Sequence, residues 1–250
     1  MSAELDGASV IRSGRAILSR ASGACAPGRF TALCGPNGAG KTTALRVMTG
    51  SLMPEEGRAL LDSEDLRRIK PLALARRRSV VSQMSYLSFP FLVHEVVAMG
   101  RSPHFGTDGQ IRDDTIISEA MTAMELDALA ERNYLTLSGG ERKRVDIARA
   151  LAQVWDAADA GKARWLFLDE PTSALDLKYQ IALMERLAAF AQAGWGIVAV
   201  LHDLHLVHKH ADDVWLFKQG EITAQGPARK VLNDASVQTT FDLAEPYALT

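Results

Sequence analysis

Short apolar runs alternate with amphipathic stretches along most of the chain. Apolar runs of about four to eight residues between turn residues are typical of buried strands, and apolar residues three or four positions apart are typical of helices. Two strands are predicted within residues 8–18, joined by a turn at Ser13-Gly14, and a hairpin is predicted from residues 214–217 and 221–224. The other predicted strands are residues 30–34, 57–61, 165–168 and 196–201, and one that ends at Val81. The predicted helices are residues 41–49, 93–99, 113–124, 141–152 and 175–190.

The order of these elements divides the chain into an α/β core and a helical insertion. Strands and helices alternate before residue 84 and again from residue 165, which predicts a mostly parallel sheet with right-handed crossovers. Between them the strand signals stop, helices follow one another, and residues 100–109 form a loop rich in Gly, Pro and Ser. We therefore expect an α/β core of residues 1–83 and 155–250, with an antiparallel β subdomain at its N-terminal end, and a helical subdomain of residues 84–154.

Charge and composition argue against several classes of protein. The 28 Lys and Arg residues are balanced by 30 Asp and Glu residues, so nucleic acid is not the expected partner. No apolar run reaches the roughly 18–20 residues that a membrane helix needs. Residues 1–14 lack the apolar centre of a secretory signal, and Cys25 and Cys34 are too few for a disulfide framework. We expect a cytoplasmic setting.

A phosphate-binding loop is predicted between one strand and the next helix, where the chain matches the pattern G-x-x-x-x-G-K-[ST]. Glycines allow the backbone N–H groups to turn toward phosphate oxygens, and the helix adds the positive end of its dipole. Lys41 supplies a charge for the β- and γ-phosphates, and the Thr42 hydroxyl is a Mg²⁺ ligand. The alternative is a glycine-rich turn without a ligand. The expected nucleotide-binding residues are Gly35, Pro36, Asn37, Gly38, Ala39, Gly40, Lys41, Thr42 and Thr43.

Two acidic residues, Asp169 and Glu170, follow the predicted strand at residues 165–168. Ligands of α/β sheets bind at the carboxyl ends of the strands, so both side chains are expected beside the phosphate loop. Asp169 is the expected partner of Mg²⁺, either as a direct ligand or through one of the ion's ligands. Glu170 is a candidate base for the water that attacks the γ-phosphate. Alone, two acids at a strand end are usually only solvated, but the phosphate loop favours the catalytic interpretation.

A second anion site is predicted where Leu137-Ser138-Gly139-Gly140-Glu141 begins a helix. The alternative is a capped helix start without a ligand. One chain cannot apply both anion sites to one nucleotide, so a head-to-tail pair of chains is implied. The segment resembles the signature motif of ABC transporter ATP-binding subunits, and this resemblance extends over essentially the whole chain. It implies a P-loop NTPase fold of the ABC type in which Ser138, Gly139 and Gly140 of one copy complete the ATP site of the other.

The remaining motifs of this family follow in order. Gln83 resembles the glutamine that contacts Mg²⁺ and water, residues 173–176 resemble the D-loop, and His202 resembles the switch histidine that contacts the γ-phosphate. The resemblance therefore implies ATP and Mg²⁺ as cofactors. It implies Glu170, His202 and Gln83 as catalytic residues, and Thr42, Gln83 and Asp169 as metal ligands.

Two features compete with or depart from this interpretation. The adenine-stacking aromatic residue of the family is expected near Ile11 or Arg12, but residues 1–29 contain no aromatic side chain. Arg12 or an aliphatic contact is therefore expected to hold the base. Four histidines lie close together in sequence: His202, His205, His208 and His210. A metal or haem site is one interpretation of this group. We favour the other, in which His202 is the switch histidine and the remaining three are solvated positions of a helix.

Two more segments indicate the kind of transporter. Residues 100–105 (Gly-Arg-Ser-Pro-His-Phe) resemble importers of iron chelates, haem and cobalamin. Residues 151–155 and 164–177, with a short insertion between them, resemble bacterial haem (hemin) import ATPases. The resemblance implies a peripheral subunit on the cytoplasmic face of the inner membrane that couples ATP hydrolysis to haem import. Its partners would be a second copy, two transmembrane permease subunits and, indirectly, a periplasmic binding protein. Docking of the permease is expected near residues 84–105, because residues 86–91 are apolar and aromatic. The alternative is that residues 86–91 belong to the buried core of the helical subdomain. A siderophore or cobalamin importer, or an ABC ATPase outside transport, are the alternative functions.

Overall fold

The computed structural model describes residues 1–83, 87–107, 112–156, 162–245 and 247. The strands are β1 Ala3–Arg12, β2 Arg15–Cys25, β3 Phe30–Cys34, β4 Glu56–Leu61, β5 Glu64–Asp65, β6 Arg78–Val81, β7 Trp165–Asp169, β8 Gly196–Val200, β9 Asp213–Lys218 and β10 Glu221–Pro227. The helices are α1 Lys41–Met48, α2 Pro71–Arg77, α3 Val93–Ala98, α4 Asp113–Ala123, α5 Gly139–Val154, α6 Leu177–Gln192, α7 Leu204–His210, α8 Ala228–Val231 and α9 Asp234–Phe241. Short 3₁₀ turns occur at Leu66–Arg68, Met99–His104, Asp127–Leu129 and Tyr134–Thr136.

The central sheet has the strand order β10-β9-β3-β8-β7-β6. Its strands are parallel except β10, which forms the expected antiparallel hairpin with β9. Strands β3, β7 and β8 are buried at every position, because helices and the second sheet cover both faces. The mostly parallel α/β core predicted from the sequence is therefore confirmed. Since these strands run in one direction, their carboxyl ends meet at one edge.

A second, antiparallel sheet has the order β2-β1-β4-β5 and packs over α1. The turn at Ser13-Gly14 has positive φ at both residues (50° and 75°), as hairpin turns of type I′ require. The strands are longer than the predicted 8–18 because polar residues such as Ser19 and Arg20 occupy their solvent side. Register changes between the pairs Val10–Leu18 and Ile11–Ala16, which leaves Ile17 as an extra residue in a bulge.

The segment between β6 and β7 is helical in the described residues, as the sequence predicts. Helix α5 lies at its centre and contacts α3, α4 and β6. It begins at Gly139 rather than residue 141, because Ser138 and Glu141 form a reciprocal capping box. The predicted loop at residues 100–109 is partly wrong, since Met99–His104 is a 3₁₀ helix. Residues 108 and 109 lie outside the described part of the chain.

The last carbonyls of α5 are satisfied by side chains of that 3₁₀ helix. Arg101 Nη1 donates to Ala152 O (2.8 Å), and the His104 Nε2 lies 2.9 Å from Gln153 O. A Cβ on Gly100 would lie 2.2 Å from Arg149 O, so only glycine permits this approach. Helix ends leave carbonyls without intrahelical partners, and here the Gly-Arg-Ser-Pro-His segment supplies the donors.

Several elements were not predicted. Helix α2 begins at Pro71, a residue that favours the first helical position. Strand β5 and the terminal helices α8 and α9 are short, and their stability depends on packing rather than on a local pattern. None of the described helices is long and apolar enough to cross a membrane.

Candidate nucleotide site

The phosphate loop joins β3 to α1 at the carboxyl edge of the central sheet. Gly35 (φ 146°) and Gly40 (φ 101°) adopt backbone conformations that favour glycine. A Cβ on Gly35 would lie 2.2 Å from Phe217 O. Both this close contact and the backbone conformation therefore require glycine at position 35. The loop borders a cavity of about 160 Å³, lined by Ile17, Asn37, Gly38, Ala39, Gly40, Lys41, Thr42, Thr43 and Glu170. Most of the predicted nucleotide-binding residues therefore surround one cavity.

Lys41 is buried beneath this loop. Its ammonium donates to the carbonyls of Gly35 (2.7 Å) and Pro36 (2.8 Å). Burial lowers its pKa, an effect that the nearby charges of Glu170 and Asp169 oppose. In this structure the Lys41 side chain therefore holds the loop through two of the loop's own carbonyls.

Thr42 and Asp169 form an oxygen pair at the same edge. The Thr42 hydroxyl donates to Asp169 Oδ1 over 2.9 Å. Burial raises the pKa of Asp169, and the charge of Glu170 adds to the rise, whereas the hydrogen bond from Thr42 opposes it. Adjacent oxygen ligands of octahedral Mg²⁺ at about 2.0–2.1 Å lie about 2.9 Å apart, so this pair fits the predicted Mg²⁺ site. The metal would also relieve the buried negative charge of Asp169.

Gln83, Glu170 and His202 follow three adjacent strands, β6, β7 and β8. Gln83 Nε2 donates to Glu170 Oε2 (2.8 Å), and His202 Nε2 is 2.8 Å from Glu170 Oε1. Since an ionised carboxylate only accepts hydrogen bonds, the contact with His202 is a hydrogen bond in the tautomer that has a proton on Nε2. Glu170 has a left-handed backbone (φ 51°), and the Ser173 hydroxyl donates to its carbonyl. The predicted catalytic residues are therefore together, with both carboxylate oxygens held.

The predicted second anion site lies around the start of α5. Ser138 Oγ accepts the N–H of Glu141 (3.2 Å), and the Glu141 carboxylate accepts the N–H of Ser138 (2.8 Å). The Ser138 hydroxyl proton is still able to donate to an anion. A cavity of about 370 Å³ is lined by Ser138, Gly139, Gly140, Glu141, Arg144, Ala174, Leu175, Asp176 and Tyr179. This cavity shares no lining residue with the cavity at Lys41, so the structure keeps the two sets of predicted residues apart.

Comparison with known proteins identifies the family. Residues 18–173 match the family model described as ABC transporter. The chain belongs to the ABC transporter family. This result confirms the family and the P-loop fold of the ABC type that the sequence motifs predict.

Individual relatives of this ABC protein match most of its length. It is 42% identical to the Hemin import ATP-binding protein HmuV of Hahella chejuensis, over 94% of this chain and 90% of that protein. It is 40% identical to the protein of the same name from Rhizobium meliloti, over 93% and 88% of the two chains. The cassette MJ0796, solved as a dimer bound to ADP and Pi, is 25% identical with a TM-score of 0.77, over 91% and 99% of the chains.

A further solved structure shares the fold of this ABC protein. A putative metal-chelate type ABC transporter in an inward-facing conformation has a TM-score of 0.80 and 24% identity, over all of this chain and 94% of that one. At this identity the comparison supports the fold alone. Together the two solved structures show that most of the chain adopts one known architecture.

The base-binding expectation concerns Ile11 and Arg12. Arg12 Nη1 pairs with Glu55 Oε1 (2.8 Å) and stays half exposed, and Ile11 is also exposed. Ile17, which the bulge brings to the phosphate loop, supplies an aliphatic surface at the cavity. The role of Arg12 remains a prediction. Sequence reasoning missed Ile17, because a bulge leaves no signal in the hydrophobic pattern.

The histidines after β8 are not gathered as ligands. Among the residues that the structure describes, no three His, Cys, Asp or Glu side chains form a group that could hold a metal. His205 packs against Tyr247 with ring centroids 5.4 Å apart. Cys34 is fully buried and its pKa is raised to about 12 by burial, as expected of a small core side chain.

Lys143 is the other residue near the site that sequence reasoning missed. It lies on α5 and its side chain is buried, with the ammonium donating to the carbonyls of Ser82 (3.3 Å) and Gln83 (3.1 Å). Burial lowers its pKa, while the charges of Asp146, Asp169 and Glu170 oppose that shift. Its spacing of four from Ile147, which is also buried, was the available signal.

Proposed function

We propose that this ABC protein is the ATP-hydrolysing subunit of an importer for haem (hemin), bound peripherally to the cytoplasmic face of the inner membrane. The proposal of ATP hydrolysis is supported most directly by the carboxylate of Glu170, whose two oxygens contact Gln83 and His202. The cargo is supported by relatives about 40% identical along nearly the whole chain, which are named hemin import ATP-binding proteins. We expect the permease and the binding protein, rather than this subunit, to recognise the cargo.

Nucleotide binding uses the phosphate loop. The N–H groups of the loop and the start of α1 face the phosphates, and Lys41 turns from the Gly35 and Pro36 carbonyls to phosphate oxygens. Thr42, Asp169 and the side-chain oxygen of Gln83 would hold Mg²⁺, which would supply positive charge to neutralise the phosphates. Ile17 would pack against the nucleoside. ATP and Mg²⁺ are accordingly the proposed cofactors.

Hydrolysis uses the side chains at the ends of β6, β7 and β8. Glu170 accepts a proton from the attacking water, and its two hydrogen bonds fix the direction of the carboxylate. When the site closes, His202 and Gln83 are able to donate hydrogen bonds to the γ-phosphate or to the attacking water instead of to Glu170. Positioning and charge stabilisation account for most of the rate in phosphoryl transfer, which matches a site made of fixed donors.

A second copy of the chain would complete the site. Ser138, Gly139 and Gly140 line a cavity separate from the phosphate loop, so a nucleotide at Lys41 would meet these residues from another copy. A cassette of this fold has been solved as a dimer with ADP and Pi. We propose that closure of two copies around ATP assembles both sites, with the hydroxyl of Ser138 directed at the γ-phosphate.

The remaining partners are two permease subunits and, through them, a periplasmic binding protein. We propose the division into a core of residues 1–83 and 155–250 and a helical subdomain of residues 84–154, with the permease docked near residues 84–105. Phe89 is 69% exposed and suits such a contact, whereas Phe91 packs against the core. Tyr86, which the docking expectation also includes, lies outside the described residues.

Two substitutions test the site. Lys41→Ala is expected to abolish tight ATP binding and turnover. Glu170→Gln should bind ATP, lose about 10²–10⁴-fold in hydrolysis rate and accumulate as a nucleotide-bound dimer. Size-exclusion chromatography with ATP and a phosphate-release assay measure both properties. Normal hydrolysis by Lys41→Ala would refute the site, and a monomeric Glu170→Gln with wild-type turnover would refute the composite arrangement.

Reconstitution tests the cargo. The chain, its permease and the binding protein are placed in liposomes, and ATPase activity and internal haem are measured with haem-loaded and empty binding protein. Stimulation together with haem uptake is the expected result. Hydrolysis without haem uptake would refute the haem assignment and leave siderophores and cobalamin for the same assay. An interaction with nucleic acid that depends on salt would instead favour a role outside transport.

A further inference from the structure

Lys143 joins the helix that begins at the signature motif to the loop that carries Gln83. It lies five residues after Ser138, is 7% exposed, and donates to the carbonyls of Ser82 and Gln83. Strand β6 ends at Val81 and is an edge strand with β7 as its neighbour in the sheet, so these two residues lie beyond the ladder. The ammonium therefore provides hydrogen bonds to the backbone at the point where the sheet stops providing them.

The charge of Lys143 suits this position. A buried ammonium is costly unless hydrogen bonds and opposite charges compensate it. Here the two carbonyls supply hydrogen bonds, and Asp146, Asp169 and Glu170 supply the negative charge that acts on the lysine. Two of those acids belong to the proposed catalytic site. Lys143 is therefore connected to that site both through the Gln83 backbone and through its electric field.

We propose that Lys143 is a positioning residue for hydrolysis. By holding the Gln83 backbone it sets the hydrogen bond from Gln83 Nε2 to Glu170 Oε2, and by its place on α5 it links that bond to the helix start at Ser138. A partner's nucleotide bound at Ser138 would thus influence the geometry of Glu170 in the same chain. This inference rests on the proposed function, because it assigns Lys143 a part in that reaction.

Gln153 provides a matched control on the same helix. Its side-chain amide donates to the carbonyls of Ala75 (2.7 Å) and Arg78 (3.1 Å), at the opposite end of β6 from Gln83. Lys143 and Gln153 therefore make the same kind of tie between α5 and neighbouring backbone. Of the two, Lys143 is the one that reaches the loop carrying a proposed catalytic residue.

The test measures steady-state ATP hydrolysis of the complete transporter with each variant. Lys143→Met is expected to lower kcat by about tenfold to a hundredfold, the effect of losing a hydrogen bond to a charged group. KM for ATP should stay within about twofold, because the phosphate loop is unchanged. Lys143→Arg should recover most of kcat, since a guanidinium donates to two carbonyls. Gln153→Met should lower the melting temperature and leave kcat within about twofold.

A double-mutant cycle with Gln83→Ala separates positioning from general damage. If Lys143 acts through Gln83, adding Lys143→Met to Gln83→Ala should change kcat by less than about twofold. Multiplication of the two losses, or wild-type kcat in Lys143→Met, would overturn the proposal. Should the methionine variant not fold, Lys143→Ala admits water to the two carbonyls and carries the same expected loss and the same refuting results. A wild-type transporter without ATPase activity would instead refute the proposed function, whatever Lys143 does.

Discussion

Arg101 offers a quantitative test of what stabilises the helical part of this protein. Its side chain is 2% exposed and donates to Asp113 Oδ1 (2.7 Å), Asp156 Oδ2 (3.1 Å) and the carbonyl of Ala152 (2.8 Å). Substitution with methionine keeps the length of the side chain and removes these donors. It removes the cation that pairs with the largely buried carboxylate of Asp113 and with a helix-terminal carbonyl, and it leaves the largely buried Asp156 with its longer contact to Arg112.

The expected magnitude follows from this burial. Removal of one partner from a buried ion pair costs about 3–5 kcal/mol of the free energy of unfolding. For a chain of this size each kcal/mol shifts the melting temperature by about 2–4 °C, so Arg101→Met should melt about 6–20 °C below the wild type. Calorimetry gives the melting temperature, and urea denaturation followed by circular dichroism gives the free energy.

Arg112 is the matched control. It pairs with the other oxygen of the same carboxylate, Asp156 Oδ1 (3.5 Å), but its side chain is 62% exposed. Exposed pairs contribute about 0–1 kcal/mol, so Arg112→Met should melt within about 4 °C of the wild type. Equal shifts for the two variants would refute the argument, because burial would then not decide the cost. Nucleotide binding at low temperature should survive in both, since neither arginine contacts the phosphate loop.

Three more outcomes are expected. Burial lowers the pKa of His104, so the unfolded chain binds a proton first as pH falls below about 6.5. Stability should therefore decline with falling pH there, and His104→Gln should flatten that decline in urea denaturation across the pH range. Gly100→Ala forces a Cβ to within 2.2 Å of Arg149 O and should cost about 1–3 kcal/mol, measured by thermal melting. Thr42→Val removes a proposed Mg²⁺ ligand, so half-maximal ATPase activity should need about tenfold more Mg²⁺, and an unchanged requirement would contradict that role.

The phosphate loop and the acids after β7 were predictable because their signals are local. Glycines with positive φ, a strand before them and a helix after them lie within residues 30–48, so no distant part of the chain is needed to define them. The same holds for the capping box at Ser138 and Glu141. The residues of such a short segment define both its backbone conformation and the polar groups that it offers to a ligand.

The assembly around Glu170 was decided by the sheet. Gln83 and His202 are 87 and 32 residues from Glu170 in sequence, and they meet it because β6, β7 and β8 are neighbours in a parallel sheet. Neighbouring strands lie about 4.8 Å apart, which is within reach of these side chains. The motifs identified the three residues by resemblance, but their hydrogen bonds depend on a strand order that the hydrophobic pattern does not specify.

The sequence by itself determined which chemistry this chain carries, because a phosphate loop and a capped helix start depend on a few adjacent residues. The tertiary structure alone decided the partners of the buried charges. Lys143 reaches backbone 60 residues away, and Arg101 reaches a helix end 51 residues away. A buried charge is stable only with partners that compensate its desolvation, and those partners become neighbours only when the sheet and α5 pack together.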